Sequence, residues 1–163
     1  MTQDILERPL VPADAPDRLR TATQEDFLEL LRISKMLHEE NGQHPLSERK
    51  LWELLTRGIC RDGAIIGVIG DPGDIKAMIF LGVESCYYSD DLIIVERWAF
   101  TRPDCRKTDF AKRLIRFAKH CADQTGLELN IGIISDERLA AKERLYAREL
   151  PKGGSFFVYR PEK

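Results

Sequence analysis

A long apolar run followed by a two-faced helical pattern constrains the fold of this chain more than any other feature. The run DLIIVERWAFT (91–101) has the near-continuous apolar character of a strand that is buried on both faces. Residues 107–124 then place apolar side chains at helical spacing on one face and basic side chains on the other. A second apolar run, LELNIGIIS (127–135), follows this helix. A strand, a helix and a further strand in succession predict an α/β sheet.

Upstream of this unit, the sequence predicts two helices and a hairpin. A short strand at 18–22 leads to a helix that opens at Thr23, where Asp26 completes a capping-box pattern. A second helix is predicted at 47–59. The segment GAIIGVIGDPGDIKAMIFLGVES then predicts two strands joined by a turn at Gly70–Gly73.

The remaining segments complete the predicted order of elements. DERLAAKERLYAREL (136–150) predicts a helix, and GGSFFVYR (153–160) predicts a last strand. The order is therefore β-α-α-β-β-β-α-β-α-β, an α/β fold whose central sheet is mixed between antiparallel and parallel pairing. Residues 1–17 hold three prolines among polar side chains and predict an extended N-terminal arm. Residues 18–163 are predicted to form a single domain.

The overall composition excludes several classes of function. A net charge of −2 over 163 residues argues against broad attraction to nucleic acid or to a membrane surface. The longest apolar run, AIIGVI, is far shorter than the ~20 residues that span a bilayer. The four cysteines form no C-x-x-C pair and the N-terminus has no signal-peptide pattern, so we expect reduced thiols and a cytoplasmic protein. No spacing of potential ligands predicts a metal site.

The segment RPDCRKTDFAKRL (102–114) allows two interpretations. It can be an ordinary helix start, with Thr108 or Asp109 as the N-cap and with the basic side chains merely solvated. It can also be an anion site, because the first N–H groups of a helix are unpaired and the helix dipole favours negative charge there. The position of the segment directly after a strand favours the second interpretation.

Three segments are similar to the GCN5-related N-acetyltransferase (GNAT) family. LRTATQED (19–26) resembles its opening strand and helix start, and ERLYAREL (143–150) its late helix. WAFTRPDCRKTDFAKRL (98–114) resembles the fourth strand and the acyl-CoA pyrophosphate loop, in which a proline lies three positions before a Q/R-x-x-G-x-G/A motif. Pro103 and Arg106 keep that spacing. The resemblance covers about residues 18 to 160 and implies a GNAT-like mixed sheet with helices on both faces.

The resemblance implies acetyl-CoA as the acyl donor and no metal. Its pantetheine would pair with backbone near Phe100 and Thr101, between the fourth and fifth strands. Within the loop motif, Arg106 and Ala111 match the family, whereas Asp109 stands where the family has its first glycine. The pyrophosphate would lie over the backbone amides of a continuous segment, namely Arg106, Lys107, Thr108, Asp109, Phe110 and Ala111.

The resemblance also implies two catalytic residues. Tyr146 would be the acid that protonates the departing thiolate, and its alternative role is an ordinary core residue of an amphipathic helix. Glu96, a lone carboxylate in an apolar strand, would be the base, acting through water. A buried carboxylate is costly unless it is paired, so a structural salt bridge is the alternative. Arg97 is a poor partner for it, because neighbouring residues of a regular strand point to opposite faces.

The acceptor pocket of the family would lie over the first two helices, around KMLHEENGQHPLSE (35–48). His38, Glu39, Glu40 and His44 would form an acidic rim suited to a cationic amine, and a solvated loop is the alternative. The expected function is an acyl-CoA-dependent N-acyltransferase that acetylates a primary amine of a small molecule or protein, without nucleic-acid or membrane partners. A non-catalytic interaction module with this fold is the other hypothesis. The short C-terminal part leaves a sheet edge that a homodimer or the N-terminal arm would complete.

Overall fold

The computed structural model describes residues 18–133, 139–155, 157–159 and 161. The N-terminal arm predicted for residues 1–17 lies outside the described residues. Two short 3-10 turns, Gln24–Asp26 and Pro103–Cys105, occur beside the regular elements. Within the described ranges the chain forms five strands and four α-helices: β1 Leu19–Thr21, α1 Phe27–Asn41, α2 Glu48–Cys60, β2 Ala64–Asp71, β3 Asp74–Ser85, β4 Leu92–Thr101, α3 Phe110–Thr125, β5 Glu128–Asn130 and α4 Leu139–Glu149.

The sheet has the order β1-β2-β3-β4-β5 and combines both kinds of pairing. Strands β1 to β4 are antiparallel neighbours, and β5 pairs with β4 in parallel after the crossover through α3. The β2–β3 hairpin turns where Gly70 (φ 117°) and Gly73 (φ 84°) adopt backbone angles that favour glycine. The mixed sheet and the hairpin predicted from the sequence are therefore confirmed.

Helices cover both faces of the sheet, as expected. Helices α1 and α2 bury Phe27, Leu30, Ile33 and Leu55 against one face, and α3 buries Leu114, Phe117 and other apolar residues against the opposite face. The face of α3 that points away from the sheet is basic, as its sequence pattern indicated. The amphipathic spacing of each helix is thus explained by burial on one side of a single sheet.

A buried ion pair fixes the start of α1. The side chain of Asp26 is fully buried and accepts hydrogen bonds from Arg20 at 2.6 and 2.7 Å and from the Thr23 backbone at 2.8 Å. Burial alone would raise the pKa of Asp26, but the hydrogen bonds from Arg20 and Thr23 and the charge of Arg20 outweigh it, so the pKa is lowered. The predicted capping box is present, and it also ties β1 to α1.

One predicted strand is not found, and another is shorter than predicted. The sequence predicted six strands, but no strand forms among the described residues of GGSFFVYR, where Phe157 and Tyr159 are 89% and 88% exposed. The described residues of LELNIGIIS, 127–133, contain a strand as predicted, but it is limited to the three-residue β5. Both segments have the composition of strands, but a strand also needs a neighbour with which to pair, and that requirement is not local. The predicted helix at 107–124 begins later, at Phe110.

Strand β4 is less buried than its composition predicted. Only Ile94 and Phe100 are fully buried in it, so the expectation of burial on both faces is wrong. The reason is that β5 pairs only with residues 93–95, which leaves the second half of β4 without a neighbour on that side within the described part of the chain. A β-bulge also interrupts β4, because Leu81 lies opposite Glu96 while Phe80 lies opposite Trp98.

Candidate active site

A cleft opens where β4 and β5 stop pairing. It has a volume of about 280 Å³ and is lined by α1, the end of β4, the start of α3 and α4. Six of the residues that were predicted to bind the donor or to transfer protons line it, namely Phe100, Thr101, Arg106, Thr108, Ala111 and Tyr146. Three separate parts of the chain, residues 37–41, 99–114 and 141–146, therefore meet at one concave surface.

The second half of β4 turns backbone polar groups that have no strand partner among the described residues toward this cleft. The Arg102 N–H donates to the Lys76 carbonyl of β3 at 2.9 Å. Because backbone groups alternate between the two sides of a strand, those of Thr101 and Ala99 point to the side without a neighbour. The Thr101 carbonyl accordingly accepts a hydrogen bond from Arg106 Nε at 3.3 Å. The open edge can thus pair with an extended amide-containing ligand.

The loop before α3 is built without glycine and without left-handed backbone angles. Asp109, at the N-cap, has φ −87° and ψ 10°, and its side chain makes no capping hydrogen bond. The cap comes from Thr108, whose Oγ1 accepts from the Phe110 N–H at 3.4 Å. Helix geometry gives the Ala111 and Lys112 N–H groups no intrahelical acceptor. These two donors are available to an anion.

Only some of the residues predicted for the loop line the cleft. Arg106, Thr108 and Ala111 line the cleft, whereas Lys107 and Asp109 are exposed and do not. The Phe110 side chain is 4% exposed and belongs to the core beneath α3. The Phe110 side chain is therefore not part of the cleft, and its N–H donates to Thr108 Oγ1.

Arg106 is held by three contacts on the cleft wall. Its guanidinium forms an ion pair with Glu40 of α1, donates to the Thr101 carbonyl and lies 5.6 Å from the centroid of the Phe100 ring. The Arg106 and Glu40 side chains are 23% and 20% exposed. The sequence analysis assigned these residues to different sites, and their contact could not be predicted because 66 positions separate them.

The predicted acidic rim is reduced to one residue. Of its four members only Glu40 lines the cleft. Glu39 and His44 are exposed, and His38 Nε2 lies 2.7 Å from the carbonyl oxygen of His44. Adjacent residues of a helix point in different directions, so Glu39 and Glu40 of α1 do not share a face.

Glu96 and Tyr146 are neighbours beneath the cleft. Burial raises the pKa of Glu96 to about 7, and the nearby charge of Lys142 only partly offsets this effect. Glu96 Oε2 is buried and has no hydrogen-bond partner within the described residues. Tyr146 is half-buried and lines the cleft, and burial, together with the charge of Glu96, raises the pKa of its hydroxyl. The structure thus brings together the two residues that the sequence assigned to proton transfer.

As predicted, Arg97 does not pair with Glu96, whereas Lys142 is a charged neighbour of Glu96 that was not predicted. Arg97, the extra residue of the bulge, pairs with Glu84 at 2.5 Å and not with Glu96. Lys142 was missed by the sequence analysis, although it precedes Tyr146 by four positions on α4 and such residues share a helix face. That spacing was the signal that could have identified it.

Two further classes of site are absent from the described residues. No group of three or more potential metal-ligating side chains occurs among them. In the same ranges, every helix is too short or too polar to cross a bilayer.

Comparisons with known proteins identify the fold. No protein-family model matches the sequence, and no curated protein matches it. Solved structures do match, and the likeness to GNAT acetyltransferases is confirmed at the level of the fold. AAC(6')-Iy in complex with the bisubstrate analogue CoA-S-monomethyl-acetylneamine matches with 15% identity over 90% of this chain and 98% of its own, at a TM-score of 0.68.

Two other matches show the same fold. A predicted acetyltransferase from Clostridium acetobutylicum, solved with acetyl-CoA, has 14% identity over 88% of this chain and 95% of its own, with a TM-score of 0.67. The aminoglycoside acetyltransferase meta-AAC0020 from an uncultured soil metagenomic sample, in complex with sisomicin, has 14% identity over 90% of this chain and 94% of its own, with a TM-score of 0.62.

Proposed function

We propose that this protein is an acyl-CoA-dependent N-acyltransferase that transfers an acetyl group from acetyl-CoA to a primary amine in a ternary complex. The observation that carries the proposal is the single cleft in which the open edge of β4, the side chain of Arg106 and the hydroxyl-bearing Tyr146 converge. A fold does not by itself define an activity. This convergence, however, supports the proposal, because a donor site, an oxyanion site and an acid would then lie in one place.

The residues present fit acetyl-CoA, with one departure. The Thr101 N–H and the backbone groups of Ala99 would pair with the amides of the pantetheine arm. The N–H groups of Ala111 and Lys112 and the guanidinium of Arg106 would bind the pyrophosphate. Asp109 is the departure, because its carboxylate adds negative charge close to those phosphates. We therefore expect a donor site of reduced affinity and not the loss of the site.

The transfer is a direct displacement at the thioester carbonyl. The amine nitrogen forms a bond to the carbonyl carbon, the carbon–sulfur bond breaks, and the thiol leaves. A backbone N–H on the open edge of β4 stabilises the oxyanion that develops. Tyr146 gives its proton to the departing sulfur, and Glu96 receives the proton of the amine through water. A pKa of about 7 allows Glu96 to accept that proton near neutral pH.

Donor binding and acetyl transfer test this function separately. Acetyl-CoA at about 100 times its dissociation constant should stabilise the fold by ~2.7 kcal/mol, which is a rise of several degrees in the thermal midpoint. Release of the free thiol should then be followed with sisomicin, spermidine and a lysine peptide as candidate acceptors. No thermal shift at millimolar acetyl-CoA, with the protein demonstrably folded, would refute the proposal.

The glycine-free loop favours a second candidate, a non-catalytic binding module with the same fold. Asp109 occupies the first glycine position of the motif, and the loop shows no left-handed backbone angle that would open it around a pyrophosphate. This candidate requires that acetyl-CoA fails to bind, whereas the enzyme requires binding and turnover. The thermal-shift measurement therefore distinguishes the two.

A further inference from the structure

A single ion pair joins the two halves of the cleft. Glu40 belongs to α1, on the side expected to hold the acceptor, and Arg106 belongs to the loop expected to hold the donor phosphates. Each side chain is about four-fifths covered, so the pair is shielded from much of the solvent. Shielding strengthens the attraction between the charges and makes an unpaired partner costly. Any ligand that binds one of these residues must therefore affect the other.

The Glu40–Arg106 ion pair determines which charged side chains of the cleft are available to an acceptor. Among the described residues that line the cleft, Glu40 is the only carboxylate, while Arg106 and Lys142 are cations. With Glu40 paired to Arg106, none of the described lining residues offers an unpaired carboxylate to an ammonium. A cationic amine is then disfavoured until Arg106 finds another anion.

The acyl donor brings such an anion. The pyrophosphate of coenzyme A carries more charge than one carboxylate, and a guanidinium binds phosphate oxygens through the same parallel N–H groups. We infer that Glu40 is a specificity-determining residue for a cationic acceptor, and that donor phosphates release its carboxylate by taking over Arg106. This inference rests on the proposed function, because it assigns the acceptor group of that same cleft.

Binding through a shared ion pair is coupled in both directions. If the donor frees Glu40 for the amine, the amine must equally free Arg106 for the donor, because coupling free energies are reciprocal. The protein would therefore bind donor and acceptor cooperatively. Removal of either partner of the ion pair should abolish this coupling.

Calorimetric titration with coenzyme A tests the donor half. Glu40→Gln frees Arg106 without removing it, so coenzyme A should bind about three- to tenfold more tightly than to the wild type. Glu39→Gln is the matched control, since it makes the same change of charge one position away at an exposed side chain outside the cleft. Its effect should stay within about twofold because exposed charges are screened.

Titration with spermidine, used as a probe cation, tests the acceptor half. Saturating coenzyme A should raise the affinity for spermidine in the wild type and in Glu39→Gln. This increase in affinity should be at least about fivefold larger than the increase in Glu40→Gln. In Arg106→Gln, spermidine should bind equally well with and without coenzyme A.

The outcomes separate this inference from the proposed function. If coenzyme A binds the wild type but Glu40→Gln leaves or lowers its affinity, the ion pair does not compete with the phosphates and the inference is overturned while the function stands. If coenzyme A affects spermidine equally in wild type and Glu40→Gln, Glu40 is not the acceptor group. If coenzyme A binds none of the variants, the proposed function fails and the inference fails with it.

Discussion

Replacement of Glu96 by Gln is expected to stabilise the protein at alkaline pH and to impair acyl transfer at the same time. Glu96 carries a buried carboxylate oxygen without a hydrogen-bond partner in the described part of the chain, and burial raises its pKa from 4.5 to about 7. The folded protein therefore holds a proton on Glu96 over a pH range in which the unfolded chain has lost it.

The sign and size of the effect follow from this difference. Because the folded state binds the extra proton, its stability falls as the pH rises from the unfolded pKa towards the folded pKa. A difference of about 2.5 pKa units corresponds to roughly 3 kcal/mol at pH 8 and to less than about 1 kcal/mol at pH 5. Gln does not titrate, so Glu96→Gln should exceed the wild type in stability by about these amounts.

The assay is denaturant unfolding of wild type and variant at pH 5 and pH 8, with acetyl transfer measured on the same samples. The stability gain at pH 8 should correspond to several degrees in the thermal midpoint for a domain of this size. Turnover of the wild type should rise with pH through about 7, and that of Glu96→Gln should be low throughout. A variant that is less stable than the wild type at pH 8 would show that Glu96 is held by a structural ion pair, and the reasoning would be refuted.

Three further substitutions test other parts of the structure. Tyr146→Phe should lower turnover roughly 10²–10⁴-fold with little change in the dissociation constant of acetyl-CoA; unchanged turnover with a lower melting temperature would make Tyr146 a core residue only. Asp109→Gly should tighten acetyl-CoA binding in calorimetry, most strongly at low salt, while it lowers the stability of the free protein by up to ~1 kcal/mol; unchanged or weaker binding would contradict the proposed pyrophosphate site. Asp26→Asn should cost about 3–5 kcal/mol at pH 7, because it leaves Arg20 without its buried partner, and the cost should shrink as the pH falls through the lowered pKa of Asp26; a loss independent of pH in urea unfolding would contradict this account.

Local patterns were sufficient to predict most of the fold. The apolar spacing on α3 and the turn at Gly70–Gly73 depend on neighbouring residues, and both are found as predicted. The capping box at Thr23 is equally local. The last strand was predicted wrongly because SFFVY has the composition of a strand, whereas its pairing depends on residues far away in the chain.

Many residues of the candidate site could be predicted from the sequence, but their contacts with one another could not. The motif spacing brought Arg106 and Tyr146 into consideration, and the structure places both on one cleft. The Glu40–Arg106 ion pair depends on how α1 packs against the sheet, which no local pattern reports. The bulge at Arg97 could not be predicted either, because it is defined by the register between β3 and β4.

The open edge of β4 has a consequence for how this chain can evolve. At Thr101 and Ala99 the groups offered to a ligand belong to the main chain, and every amino acid except proline supplies them. Recognition of this kind survives almost any exchange of side chains, provided that the strand keeps its path. A protein that relies on main-chain recognition can therefore accumulate many substitutions while its fold is kept.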